Sequence, residues 1–307
     1  MKTVKSVGEF GLIDIIKKMN KNQSKAVGIG DDCAVIPISG DKEIVVTTDA
    51  LVRDVHFFKD ADPYLLGRKS LAVNISDVAA MASSPKWAFL SISLEDNTDL
   101  NYIEEFMRGF YSIANEFGIY LLGGDTTKSR TFTINITLIG ENEIGKSVKR
   151  GGAVIKDDVY VTGRIGCSYA GLKSIESGLE NEFVNIHLNP VPQVVLATKI
   201  RDYANSMIDI SDGLIQDCNH ICEESSVGME IDFDKIPFCN ADIVQKSEML
   251  TGGEDYELIF SSNKCYREIL DNINGITRIG TIVKGNKAKI VKDGREIKIN
   301  KKGFQHF

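Results

Sequence analysis

Short apolar runs of this chain repeatedly end in an aspartate, and this pattern restricts how the chain can fold. The first example is the glycine-punctuated turn of residues 27–35 (VGIGDDCAV), which carries the adjacent carboxylates of Asp31 and Asp32. A carboxylate ends an apolar run again at Asp49, Asp77, Asp125, Asp209 and Asp212. Each of these aspartates alone is typical of a turn or a helix cap. Together they favour one shared site for Mg²⁺, a cation that prefers oxygen ligands and can in turn hold phosphates.

Composition limits the class of protein. The 307 residues suffice for a full core and for two domains, and 43% hydrophobic with 26% charged residues is typical of a globular chain. With 36 Lys plus Arg against 43 Asp plus Glu, the net charge of −7 argues against nucleic-acid binding. No apolar run of about 18 residues and no apolar leader is present, and the six cysteines lack a Cys-x-x-Cys pair. These features predict a cytoplasmic protein with reduced thiols.

The first half of the chain alternates helix and strand patterns. Helices are predicted near 9–20, 63–83 (with Asp77) and 99–118. Strands are predicted at 34–36, 44–48, 87–94, 120–122 and 131–139, with Asp49 at a strand end and Asp125 in a turn. Because several strands are hairpin neighbours, we expect an α/β fold with mixed sheets.

A polar, glycine-containing stretch, 141–158, separates this half from a second α/β unit. It predicts a boundary between domains 1–148 and 149–307. In the second unit, strands are expected at 158–163, 206–210, 229–233, 256–261, 276–283, 288–291 and 296–299. Helices are expected near 168–178, 190–204, 212–224 and 263–272.

Two local motifs are better explained as structure than as chemistry. Residues 140–147 (GENEIGKS) match the phosphate-loop pattern G-x-x-x-x-G-K-[ST]. However, two glutamates would repel phosphate, and the following glycines make a poor helix start. We therefore interpret the segment as a connector. Cys218 and Cys222 share one helical face while His220 points elsewhere, which favours helix packing over a zinc site.

Eight motifs in a fixed order resemble the thiamine-monophosphate kinase family, within the aminoimidazole ribonucleotide synthetase-like superfamily. They span nearly the whole chain: GDD at 30–32, TTDA at 47–50, HF at 56–57, AVNISDVAAM at 72–81, GGDT at 123–126, DISDG at 209–213, GGEDYEL at 252–258 and GFQHF at 303–307. In the last motif, Gln305 replaces the aspartate that is usual in the family. The resemblance implies ATP-dependent phosphorylation of thiamine monophosphate to thiamine diphosphate. It also implies several Mg²⁺ ions and a homodimer formed through the sheet of the N-terminal domain.

The family pattern also implies roles for individual residues. Metal positions fall on Asp31, Thr47, Thr48, Asp49, Asp77, Asp125, Asp209 and Asp212, of which Asp31, Asp49, Asp125 and Asp212 are also expected to be catalytic. Nucleotide positions fall on Gly124, Asp125, Arg150, Ser211 and Tyr111. Substrate positions fall on His56, Glu254 and Phe304, and the last two would suit a cationic thiazolium ring.

We expect direct in-line attack by the substrate phosphate on the γ-phosphate, without a phosphoenzyme. The substrate phosphate is already ionised near neutral pH, and no nucleophile arrangement of the Ser-His-Asp or Cys-His kind is evident. Two alternatives remain open, besides the P-loop NTPase disfavoured above. One is another ATP-using enzyme of the superfamily, such as a cyclo-ligase or a selenophosphate synthetase-like enzyme. The other is a non-catalytic Mg-ATP sensor.

Overall fold

The computed structural model describes residues 4–19, 26–38 and 40–299. Twelve strands and nine α-helices lie in these ranges, with 3₁₀ turns at Phe233–Lys235 and Lys264–Tyr266. The strands are β1 Ala34–Pro37, β2 Lys42–Val52, β3 Ser84–Leu94, β4 Tyr120–Lys128, β5 Thr133–Glu143, β6 Asp158–Thr162, β7 Ala204–Asp209, β8 Gly228–Asp232, β9 Leu258–Ser262, β10 Ile276–Val283, β11 Ala288–Lys292 and β12 Arg295–Ile297. The helices are α1 Val4–Met19, α2 Pro63–Ala80, α3 Leu100–Phe117, α4 Cys167–Glu176, α5 Glu182–Leu188, α6 Val194–Ile200, α7 Leu214–Ser225, α8 Lys246–Met249 and α9 Arg267–Asp271.

The strands form two mixed sheets, which confirms the predicted fold class. The first has the order β1-β2-β5-β3-β4 and is antiparallel except for the β3–β4 pair. The second has the order β12-β11-β8-β10-β6-β9-β7, with β8 and β11 as its one parallel pair among the described strands. The chain passes from the first sheet to the second between Glu143 and Asp158.

Helix α2 is the buried centre of the first half. The Asp62 side chain accepts the Leu65 N–H and Pro63 occupies the first turn, which together start the helix. Most of its residues are buried, on every side of the helix. Near its end, Ala79 and Ala80 pack with α6 residues and with Phe260 of the second sheet, so α2 belongs to the cores of both halves.

Several predicted boundaries were wrong, and two of the errors concern site residues. Strand β2 continues to Val52, so Asp49 lies inside the strand rather than at its end. Strand β4 continues to Lys128, so Asp125 lies on a strand and not in a turn. The helix expected at 190–204 is shorter and corresponds to α6, Val194–Ile200, while the preceding helix α5, Glu182–Leu188, was not predicted. The helix expected at 263–272 begins as a 3₁₀ turn.

We predict that Gly109→Ala destabilises the first half. A Cβ at Gly109 would lie 1.8 Å from the Tyr64 carbonyl oxygen, where α3 crosses α2. The free energy of unfolding should fall by about 3 kcal/mol, because overpacking outweighs the gain in helix propensity. Urea denaturation followed by circular dichroism measures the change. Gly28→Ala, whose Cβ would meet nothing within 4 Å, is the matched control and should have little effect.

Candidate active site

A cleft of about 1000 Å³ lies between the two halves and is lined by both. Strand β2, helix α2 and the turn at Asp32 form the wall from the first half. Helices α4, α5 and α7, Arg150, the segment after β7 and the loop 251–254 form the other wall. Most of the predicted site residues lie on these walls: Thr47, Thr48, Asp49, His56, Asp77, Arg150, Asp209, Ser211, Asp212 and Glu254.

Three carboxylates converge at one end of the cleft. Oxygen atoms of Asp32, Asp77 and Asp209 lie within 4.8 Å of one another, and we call this group the acidic cluster. The turn after Gly30, helix α2 and the last residue of β7 each deliver one of the three. Asp32 Oδ2 is buried and accepts no hydrogen bond. A buried carboxylate oxygen without a partner fits a divalent cation, because burying an uncompensated charge is costly.

Polar neighbours hold the acidic cluster in place. The Thr47 hydroxyl donates to Asp77 Oδ2, and the Ser76 hydroxyl donates to Asp209 Oδ2 at 2.6 Å. Arg150 donates from Nη2 to Asp32 Oδ1 at 2.7 Å, and its backbone N–H donates to Asp31 Oδ1 at 2.9 Å. Asp31 therefore flanks the cluster, while Asp32 occupies it. The sequence could not decide between these adjacent residues.

The positive charge around the acidic cluster does not balance the negative charge of its carboxylates. Burial, with Asp32 as the next cause, raises the pKa of Asp209 to about 8. Burial also raises the pKa of Asp49 to about 6, and it raises the pKa of Asp77 well above its usual value. These shifts show how strongly the site opposes further negative charge until a cation is supplied.

Because side chains alternate between the two faces of a sheet, Thr47 and Asp49 lie on one face of β2 and Thr48 lies on the other. The first two point towards α2, where Thr47 contacts Asp77. The Thr48 hydroxyl lies on the opposite face of the sheet, where it accepts from Thr137 Oγ1 at 3.1 Å. Any metal contact from Thr48 would therefore come from its backbone.

A second group of possible ligands lies at the start of α7. Atoms of Asp212, Asp217 and His220 lie within 4.8 Å of one another. Asp217 Oδ2 accepts the N–H groups of Asp212 and Gly213 at 3.2 and 3.0 Å, so it also caps the helix. The ring of His220 packs against Phe10, with centroids 5.1 Å apart. Asp212 alone was predicted as a ligand from the sequence.

Three predicted nucleotide residues are absent from the lining of the cleft: Gly124, Asp125 and Tyr111. Asp125 lies on the edge strand β4, opposite Ser91 of the neighbouring strand β3. Strands β5 and β3 lie between β4 and β2, so β4 and β2 are about 14 Å apart. Asp125 also shares the face of the sheet that points away from α2, which we call the outer face. Tyr111 is exposed on α3.

The cleft also holds the predicted substrate residues His56 and Glu254. His56 Nδ1 accepts the Val52 N–H at 3.0 Å, so a neutral His56 carries its proton on Nε2. Glu254 has a φ of 64°, a strained value for a residue with a side chain. Its N–H donates to Ser211 O at 2.8 Å, which ties its loop to the aspartate-rich segment. Phe304 lies outside the described residues.

Residues 140–147 do not form a phosphate loop. Gly140 to Glu143 belong to β5, and no helix follows at Lys146. The N–H groups of Gly145 and Ser147 donate to the Glu43 carboxylate at 2.9 and 3.0 Å, in place of a phosphate. Lys146 pairs with Asp202 at the surface. The rejection of a phosphate loop is confirmed, but residues 140–143 were wrongly placed in the connector because they belong to β5. The burial of Cys218 and Cys222 in the core is confirmed.

Comparisons with known proteins identify the family. The family models AIR synthase related protein, N-terminal domain, and AIR synthase related protein, C-terminal domain, match residues 30–142 and 156–293. Thiamine-monophosphate kinase of Aquifex aeolicus is 35% identical over 319 residues, covering 99% of both chains. The enzyme of Escherichia coli K12 is 35% identical over 321 residues, covering 98% of both. The chain belongs to the thiamine-monophosphate kinase family.

A solved structure supports the same assignment. It is described as AaThiL complexed with AMPPCP and TMP, and it matches with a TM-score of 0.89 at 34% identity. The match covers 100% of this chain and 99% of the other. Membership of the thiamine-monophosphate kinase family confirms the resemblance inferred from the eight motifs.

Sequence reasoning missed several residues in the cleft of this thiamine-monophosphate kinase family member. Asp217, Lys69 and His187 line it but were not assigned roles, and Asp32 was named in the aspartate pattern but not among the metal positions. For Asp32 the signal was its adjacency to Asp31. For Lys69 the signal was a charged residue within the largely apolar run 65–81. Nothing in the sequence distinguished Asp217 or His187.

We predict that acid stabilises the metal-free protein. The pKa of Asp209 rises from 3.8 to about 8, so the folded protein keeps a proton that the unfolded chain loses. Stability should therefore fall as pH rises through this window. The melting temperature of chelator-treated protein should increase as pH decreases from about 8 to about 6. Saturating Mg²⁺ should remove most of this dependence, and Asp209→Asn should reduce it. A pH-independent melting temperature without metal would contradict the assignment.

Proposed function

We propose that this protein transfers the γ-phosphate of ATP to thiamine monophosphate, giving thiamine diphosphate and ADP. The observation that carries the proposal is the acidic cluster, placed beside Asp49 at one end of a cleft shared by both halves. The relatives at 35% identity and the neighbour complexed with AMPPCP and TMP support the same reaction. The six unpaired cysteines support a reducing compartment such as the cytoplasm.

The residues of the acidic cluster, together with Asp49, would hold Mg²⁺. Asp31, Thr47 and Asp212 lie around them and would complete the shell directly or through water, as would the backbone of Thr48. When bound, the cations supply neutralisation of the charge on the transferred phosphoryl group and its neighbours. The orphaned Asp32 Oδ2 and the raised pKa values of Asp77 and Asp209 support this assignment.

The chain itself positions the two substrates. Arg150, held by Asp32, presents a planar fork suited to the nucleotide phosphates, and Ser211 lies at the same wall. The Nε2–H of His56 would donate to the phosphate of the acceptor. That phosphate then attacks the γ-phosphate in line. It is already ionised, so no strong general base is needed, which suits a cleft dominated by carboxylates.

We further propose a homodimer formed through the outer face of the first sheet. This face carries exposed apolar side chains, including Phe89 and Tyr120, with relative exposures of 38% and 67%. It also carries Asp125, which lies outside the cleft of its own chain. In a dimer, Gly124 and Asp125 would complete the nucleotide site of the partner, and Tyr111 would lie at the rim.

Phosphorus NMR tests the reaction directly. Purified protein with Mg-ATP and thiamine monophosphate should produce ADP together with the two resonances of thiamine diphosphate. A reaction without the thiamine compound is the control and should produce neither. ADP without the thiamine product would indicate a different acceptor, as in a related superfamily enzyme. Nucleotide binding without turnover would indicate a sensor.

Mixed dimers test the role proposed for Asp125. Asp49→Asn and Asp125→Asn should each abolish turnover while the protein remains folded. Co-expression of the two variants should restore about a quarter of the activity, because half of random dimers are mixed and each contains one intact site. Co-expression of Asp49→Asn with Asp209→Asn is the matched control and should stay inactive. If Asp125 serves its own chain, the first mixture will be inactive as well.

A further inference from the structure

Helix α2 places a buried lysine at the end of the cleft away from the acidic cluster. The Lys69 side chain is only 3% exposed, although it lines the cleft. Lysine is rarely buried to this extent unless its ammonium group is paired. The function assigned above makes no use of this residue.

Lys69 is paired with Glu254 and forms part of a compact network. Its Nζ lies 3.0 Å from Glu254 Oε1, and 3.5 Å from His187 Nε2. His187 Nδ1 lies 3.6 Å from Glu254 Oε2 and 2.9 Å from the Ser168 hydroxyl. Helices α2 and α5 therefore meet the loop 251–256 at the Glu254 carboxylate, and α4 joins them through the contact between Ser168 and His187. We call these four residues the Lys69 network.

The contacts also define the protonation of the network. An ammonium group only donates, so His187 Nε2 must accept from Lys69, which leaves the proton on Nδ1. Burial, followed by the charge of Lys69, lowers the pKa of His187 to about 4, so the ring is neutral near pH 7. Burial alone would raise the pKa of Glu254, but Lys69 and His187 outweigh it and lower that pKa.

The network therefore contains one positive and one negative charge. The carboxylate of Glu254 is already compensated, so a cationic ring beside it would gain little and would be repelled by Lys69. Its oxygen atoms can still accept hydrogen bonds, because each has more than one lone pair. The walls nearby are apolar, formed by Leu66, Val73, Leu172, Ile175, Val184 and Leu188. Such a pocket suits a flat, uncharged ring that carries an N–H donor.

The spacing of Lys69 and Asp77 along α2 also indicates that an uncharged ring lies at the Lys69 network. Lys69 and Asp77 lie eight residues apart on one helix, about 12 Å along its axis. If the acceptor phosphate lies towards Asp77, the Lys69 network is reached by the opposite end of the molecule. In thiamine monophosphate that end is the aminopyrimidine, and the thiazolium lies between it and the phosphate.

We propose that Lys69 is a positioning residue that fixes Glu254 to accept a hydrogen bond from the aminopyrimidine of the acceptor, rather than to attract its thiazolium charge. This inference rests on the proposed function and assigns the part of the substrate that Glu254 contacts. It replaces the expectation from sequence that Glu254 pairs with the cationic ring.

The test compares two acceptors: thiamine monophosphate, and an analogue with an oxo group in place of the pyrimidine amino group. The wild type should prefer the amino compound by about 100-fold or more in kcat/KM, because the analogue replaces the exocyclic N–H donor that faces Glu254 with an oxo group, which only accepts. Lys69→Met should raise the KM for thiamine monophosphate by at least about tenfold and reduce the preference to a few-fold. Its kcat and its KM for ATP should change little. Lys69→Arg should retain most of the preference.

Two further variants distinguish a role of Lys69 in positioning Glu254 from a role only in the stability of the fold. Lys69→Met leaves Glu254 as an unpaired buried charge, which could impair folding. The double variant Lys69→Met, Glu254→Gln removes both charges, so it should melt near the wild type while the preference stays low. Lys146→Met, at the surface pair with Asp202, is the matched control and should change neither KM nor the preference. An unchanged preference in Lys69→Met or in the double variant would overturn the proposal, as would a uniform loss of kcat.

Isothermal titration calorimetry distinguishes this inference from the proposed function. It measures the binding of both acceptors in the presence of Mg²⁺ and a non-hydrolysable ATP analogue. Selective binding of the amino compound without turnover would support the role of Lys69 but contradict the kinase. Turnover of both acceptors at equal efficiency would support the kinase and overturn the role of Lys69.

Discussion

Mutual repulsion among buried carboxylates is the constraint on which the cleft depends. Asp32, Asp77 and Asp209 come from three separate elements of both halves, yet their oxygen atoms lie within 4.8 Å. Holding them together costs free energy that only the surrounding fold can supply. Hydrogen bonds from Thr47 and Ser76, and the guanidinium group of Arg150, offset part of it. The remainder favours cations, so binding and stability are coupled in this cleft.

Helix α2 is what makes this arrangement possible. Its first turns pack against α3, where glycines allow close approach of the backbones, and its last turns pack into the core of the second half. A helix held at both ends cannot rotate freely, so Lys69 and Asp77 keep a fixed spacing and orientation. The same burial that stabilises the two halves therefore also sets the distance between the two ends of the cleft.

The sequence predicted the alternation of helices and strands, the mixed sheets and most residues of the cleft. It placed Asp49 at the end of its strand, because a carboxylate after an apolar run is typical of a strand end. The apolar residues that follow carry no turn signal, and β2 continues through them to Val52. The sequence predicted a turn at Gly124, which instead lies on β4, where a Cβ would come within 1.7 Å of the Leu90 carbonyl oxygen. The preference for Asp32 over Asp31 depends on the local path of the turn. Pairing of Lys69 with Glu254 is a contact between residues 185 positions apart, which spacing cannot reveal.

The two ends of the cleft differ in the quantity that governs recognition, which is net charge. The acidic cluster carries an excess of negative charge and can accept the phosphates only when cations are present. The Lys69 network has no net charge, so it can bind an uncharged ring in any metal state and at low electrostatic cost. On the proposed roles of the two ends, an acceptor with a phosphate at one end and a neutral heterocycle at the other would bind in one direction only. In the proposed orientation, the phosphate of the acceptor would lie at the acidic cluster before transfer, in position for the proposed in-line attack.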